Sequence, residues 1–89
     1  MDDKLPIIIR KKRSPRYIVI MADPYMNDKD DPDWFVRISY RKNNTHQETD
    51  HSIIIKKGLP NWTKGFKKQG YEPYKDFDMA NLEKTTLKN

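Results

Sequence analysis

One segment restricts the fold more than any other, the run from Asp33 to Lys42. Trp34, Val36, Ile38 and Tyr40 alternate there with Phe35, Arg37, Ser39 and Arg41. Side chains of a strand point alternately to opposite faces, so residues 33–42 read as a strand with one face in a core. Such a strand needs partners. Residues 16–22 (Arg-Tyr-Ile-Val-Ile-Met-Ala) supply one: Tyr17, Val19 and Met21 point one way, Ile18, Ile20 and Ala22 the other. Both faces are apolar, as in a central, buried strand. Residues 51–57 (His-Ser-Ile-Ile-Ile-Lys-Lys) supply another, joined through a polar turn at Asn43-Asn44 to make a hairpin over 33–57. The β-branched run Ile7-Ile8-Ile9 places a further strand over 5–10.

Gly58-Leu59-Pro60-Asn61 then breaks the strand pattern. Pro suits the first turn of a helix and Asn its cap. Trp62 and Phe66, four apart, share a helical face, and Gly70 can stop the helix. A helix over 60–70 follows. Residues 71–89 read as an appendage in which Phe77, Met79 and Leu82 could dock a short helix over about 76–84, with frayed ends. The expected fold class is α+β: a small antiparallel β-sheet of three to four strands, one helix packed on a face, and a flexible C-terminal segment. The whole chain, 1–89, makes one domain. Leu, Ile, Val and Phe together number only 18 of 89 residues, so the core is thin.

Several chemistries lack their residues. Without cysteine there is no disulfide, thiolate nucleophile or thiolate metal site. His46 and His51 lie five apart across a turn, which makes no zinc site. Asn27 to Asp33 looks superficially like a calcium loop, but with Asp28 as the first position the sixth is Asp33 rather than Gly, and the twelfth is Ser39 rather than Glu. No metal and no cofactor are expected. No nucleophile elbow and no glycine-rich phosphate loop is present, so no enzymatic activity is expected. The first apolar run, Leu5 to Ile9, is too short for a signal peptide, and no stretch reaches the length of a membrane helix. The expected location is the cytoplasm, with no membrane partner. The sequons at Asn43 and Asn61 are then chance matches.

Charge carries the functional expectation. Lys and Arg number 18 against 13 Asp and Glu, a net +5. Residues 23–33 hold five Asp and one Lys, between two blocks that are strongly basic. Arg10, Lys11, Lys12, Arg13 and Arg16 form a cluster that could track a nucleic-acid backbone. Phe35, Arg37 and Arg41 would stand in a row on the outward face of a strand, the aromatic stacking on a base and the arginines holding phosphates. Lys56, Lys57, Lys64, Lys67 and Lys68 would make a third patch beside Trp62. A three-stranded sheet followed by a basic helix is similar in element order to small DNA-binding domains that lay a sheet in the major groove.

The expectation is therefore a nucleic-acid-binding accessory or regulatory protein, with DNA favoured over RNA. The alternative is a small protein-protein interaction module, for instance a phage or mobile-element inhibitor of a host protein. Its anchors would be Tyr25, Trp34, Trp62, Tyr71 and Tyr74, residue types enriched at interface hot spots. Either Ile53–Ile55 or Ile7–Ile9 could also stand at a sheet edge, where self-pairing would make a homodimer.

Overall fold

The computed structural model describes residues 4–82. Five strands form one antiparallel sheet: β1 (Ile7–Lys11), β2 (Arg16–Ala22), β3 (Phe35–Lys42), β4 (Glu48–Ile55) and β5 (Tyr71–Pro73), in the order β4-β3-β2-β1-β5. The first four strands follow one another as a meander. A 3-10 turn at Lys56–Gly58 leads into the helix α1 (Leu59–Lys68), and the chain re-enters the sheet at its opposite edge as β5. The expected class holds in its coarse form, with sheet outweighing helix. The extra strand is β5, which pairs Tyr71 with Lys11 and Pro73 with Ile9. Three residues carry too little periodicity to announce a strand.

Registers follow the side-chain pattern. Ile20 faces Ile38 and Ile7, and Ile18 faces Tyr40 and Ile9, so the apolar sets of three strands fall on one face. Leu59 and Phe66 of α1 cover it, completing a core with Ile9, Ile18, Ile20, Val36 and Ile38. Each such burial contributes roughly 1.5–3 kcal/mol. Pro60 lies in the first turn of α1, where a missing N–H goes unnoticed. Gly70, at φ 100°, ends the helix in a conformation that other residues resist.

β4 departs from the expected 51–57 at both ends. It stops at Ile55 because Lys56–Gly58 turn away as a 3-10 helix. It begins at Glu48 because the register shifts by one between Tyr40 and Arg41: Tyr40 pairs with Asp50, but Arg41 pairs with Glu48. Thr49 is the extra residue of this bulge. The expected helix over 76–84 is reduced to a 3-10 turn at Met79–Asn81, capped by the Asp78 side chain, which accepts from the Ala80 N–H at 3.0 Å. The part of that expectation beyond Leu82 lies outside the described residues.

The second face of the sheet is covered as well. Tyr17 and Val19 are buried there. The ring of Phe77 lies 5.1 Å from that of Tyr17, and Tyr74 and His46 meet Tyr17 edge-on. The segment from Tyr74 to Leu82 therefore straps this face. A sheet laid bare for a DNA groove, which the element order suggested, is not what the chain builds.

Candidate nucleic-acid interface

The meander places its turns at two opposite ends, and the charges divide between them. The β1–β2 turn carries Lys11, Lys12, Arg13 and Arg16, all exposed. The Ser14 N–H donates to the Lys11 carbonyl at 3.0 Å, closing a tight turn with Arg13 at φ 62°. That is the third position of a type II turn, where glycine or asparagine is usual. Arg16 pairs directly with Lys42, the last residue of β3, and the Asn43 N–H donates to the Pro15 carbonyl at 2.7 Å. Like charges opposite one another destabilise a sheet. The last turn of α1 brings Lys67 and Lys68 to the same end, because Tyr71, three residues after Lys68, pairs with Lys11. Chain reach keeps that separation within about 11 Å.

Seven cations from four elements thus gather at one end: Lys11, Lys12, Arg13, Arg16, Lys42, Lys67 and Lys68. Among the described residues none of them has a carboxylate within 4 Å. Glu72 and Asp76 line a depression with Arg10 and Lys12 without pairing with either. A second depression of about 520 Å³ runs between Pro15, Arg16, Lys42, Asn43 and Asn44. Lys42 is the member that sequence reading missed. Its place depends on its register with Arg16, which no local pattern displays.

Arg10 belongs to this end but is half-buried. Its guanidinium lies 4.0 Å over the Tyr74 ring, and its Nη1 donates to the Tyr74 hydroxyl at 3.3 Å. The Lys11 ammonium lies 5.3 Å from the Tyr71 ring centre, and Tyr71 also packs on Phe66. Tyr71 and Tyr74, expected as protein anchors, are therefore half-buried and engaged within the chain.

The row of Phe35, Arg37 and Arg41 is corrected most. These residues do share one face, but strap and loop cover it. Arg37 is 9% and Arg41 1% exposed. Arg37 donates from Nη1 to Asp23 Oδ1 at 2.8 Å, and from Nε and Nη2 to the two carboxylate oxygens of Glu48 at 3.0 and 2.8 Å. The Ser39 hydroxyl donates to Glu48 at 2.6 Å, and Arg41 Nε donates to the Ser39 hydroxyl at 2.9 Å. Arg41 Nη1 reaches the Leu82 carbonyl at 3.2 Å. Burial pushes the Glu48 carboxyl up, but hydrogen bonds from Arg37 and Ser39 and the Arg37 charge outweigh it and hold the group below its ordinary value. Both guanidiniums are thus built into the fold. Phe35 is half-buried at the other end, its N–H and C=O both bonded to the Asn27 amide.

Lys56 and Lys57 also sit at that other end. Lys56 pairs with Asp33, whose carboxyl it holds below the usual range. Lys57 is exposed in the 3-10 turn, and Lys64 is exposed on α1. The loop 23–33 is anchored by Asp23, whose Oδ2 accepts from the Tyr25 and Met26 N–H groups at 3.0 and 2.8 Å. Beyond that anchor Tyr25, Met26 and Trp34 are 58%, 52% and 39% exposed. Trp62 stands on α1, 37% exposed, with its ring 6.0 Å from Phe66.

Among the described residues no group of three His, Cys, Asp or Glu converges to hold a metal, and no helix is long and apolar enough to cross a membrane. Compared with known proteins, the chain matches no family model, no curated protein and no solved structure. What the geometry offers chemically is concentrated positive charge with no described carboxylate within 4 Å of it, suited to phosphate oxygens or another polyanion.

Proposed function

We propose that the chain binds nucleic acid through the hairpin end of its sheet, as an accessory or regulatory protein, with duplex DNA as the preferred form. One observation carries this reading: seven cations from four elements converge there with no described carboxylate pairing them. Stability alone gives no reason to set Arg16 opposite Lys42. Duplex is favoured because the nearby rings, Tyr71 and Tyr74, already carry Lys11 and Arg10, which leaves cations for a backbone and no open ring for an unstacked base.

The test is fluorescence anisotropy with a labelled duplex across a salt series. Affinity should fall steeply with salt, with a logarithmic slope of at most about 6 if all seven cations meet phosphates. The triple change Lys12→Glu, Arg13→Glu, Arg16→Glu should abolish binding, and Lys64→Glu should leave it intact. Absence of binding by micromolar protein at about 50 mM salt would remove the reading.

A second reading rests on the other end. Trp34 and Met26 border a recess of about 310 Å³ lined also by Asp28 and Asp31, and the Tyr25 ring of the same loop is exposed, a surface suited to a protein partner. A stoichiometric partner recovered from nuclease-treated lysate, and lost on Trp34→Ala, would support it.

A further inference from the structure

The two edges of the sheet are finished differently. At the β5 edge the Tyr74 N–H donates to the Ile8 carbonyl at 2.9 Å, and Ile9 pairs with Pro73. Antiparallel ladders alternate, so residues 72 and 74 face β1 while 71 and 73 face outward. The outward position 73 is a proline, which has no N–H to offer. This edge is three residues long and closed.

The β4 edge is open at Ile53 and Ile55, while the outward His51 N–H is held by the Asp50 carboxylate at 2.8 Å. The Lys56 N–H donates to the Trp34 carbonyl at 2.8 Å. By the same alternation residues 50, 52 and 54 face β3, and the backbone groups of His51, Ile53 and Ile55 point away from the sheet. Neither Pro nor bulge interrupts 51–55, and Ile55 is 43% exposed. Ile53 and Ile54 are half-buried, one on each face. Such a strand is a template for another strand.

We propose that β4 pairs with β4 of a second copy of this chain, antiparallel about a twofold axis at Ile53, joining two five-stranded sheets into one of ten. The register itself selects this occupant. Centred on Ile53, it sets Ile53 against Ile53, Ile55 against His51, and Ile54 against Ser52, each contact occurring twice. Every outward-facing residue of 51–55 then meets an outward-facing residue of the other copy. Asp50 comes level with Lys56 of the second copy at both ends, a cation already paired with Asp33 in its own chain, so a shared cation rather than a second carboxylate faces each Asp50. Half-exposed Ile54, which already packs against the core, gains cover from the second copy. A twofold contact of this kind closes on itself and ends at the dimer.

The experiment combines sedimentation equilibrium with amide exchange on the full chain. The wild type should show twice the chain mass at about 100 µM and dissociate on dilution. In the dimer the Ile53 and Ile55 amides should exchange as slowly as those of Ser52 and Ile54. Ile53→Lys should yield a monomer in which the Ile55 amide exchanges fast while that of Ile54 remains slow. Ile55→Glu, at a side chain already exposed, should give a monomer in which the Ile53 amide exchanges fast, and it guards against misfolding of the first variant. A wild type that stays monomeric at about 100 µM overturns the proposal and leaves the edge to a strand from another protein. So does a dimer that persists in both variants.

Discussion

Arg37 is the residue whose role depends most on its surroundings. It lies between two carboxylates, with Asp23 at 2.8 Å on one side and Glu48 held by two bonds on the other. Removing one partner from a buried ion network strands the others. Arg37→Met should therefore destabilise the chain by about 3–5 kcal/mol, measured by urea unfolding. Glu48 predicts a pH dependence. Its folded carboxyl titrates below the ordinary 4.5, so it contributes stability above that value and loses it as pH falls through the folded value. The stability gap between wild type and Glu48→Gln should narrow as pH falls below 4.5, read from urea midpoints along a pH series. Arg13 makes the opposite case. A non-glycine residue at φ 62° costs about 1 kcal/mol, so Arg13→Gly should stabilise the fold by about that amount while weakening duplex binding. The alternation of residues 33–42 showed that Phe35, Arg37 and Arg41 share a face. It could not show whether that face meets water, because the covering strap is some 35 residues downstream and the counter-charges lie on other elements.

Among the elements, β4 shows how a one-residue irregularity directs side chains. An unbulged ladder continuing from Tyr40–Asp50 would set Arg41 against Thr49 and send Glu48 to the helix-covered face. The bulge at Thr49 turns Glu48 to the other face, beside Ser39 and Arg37. Deleting Thr49 would restore a regular ladder with Glu48 still opposite Arg41. That deletion should thus cost less stability than Glu48→Ala, a comparison made by unfolding both in urea. Strands β1 to β3 and α1 were legible in the sequence, because each carries period-2 alternation, a β-branched run or a proline-to-glycine frame. The start of β4 was not, since a bulge is set by what it pairs with. Nor was β5, whose Tyr-Glu-Pro has no pattern of its own and becomes a strand only where α1 delivers it beside β1.

On the scale of the whole molecule, the sequence announced two basic blocks around an acidic loop, and folding sorts them along the strand direction. β2 leaves the cationic turn at Arg16 and enters the aspartate loop at Ala22, about 20 Å away by strand rise. Lys4, Lys56 and Lys57 offset part of the loop's charge, and Lys56 is neutralised by Asp33. Exchanging Lys67 and Lys68 for Glu should therefore weaken duplex binding and flatten its salt slope by up to about 2, although neither residue is near the hairpin in sequence. Titration by anisotropy at several salt concentrations checks this.

That axial sorting gives a single molecule an electric direction. At a separation of about two screening lengths in physiological salt, a polyanion would exert a torque before any contact forms, and on the proposed function the molecule would arrive tip-first with its Tyr25 and Trp34 loop trailing into bulk water. Two copies joined through β4 would carry opposed vectors that cancel. Such a pair would have no preferred heading and would present a cationic tip at either end, so it could tie together two separate stretches of nucleic acid where one copy could only decorate one.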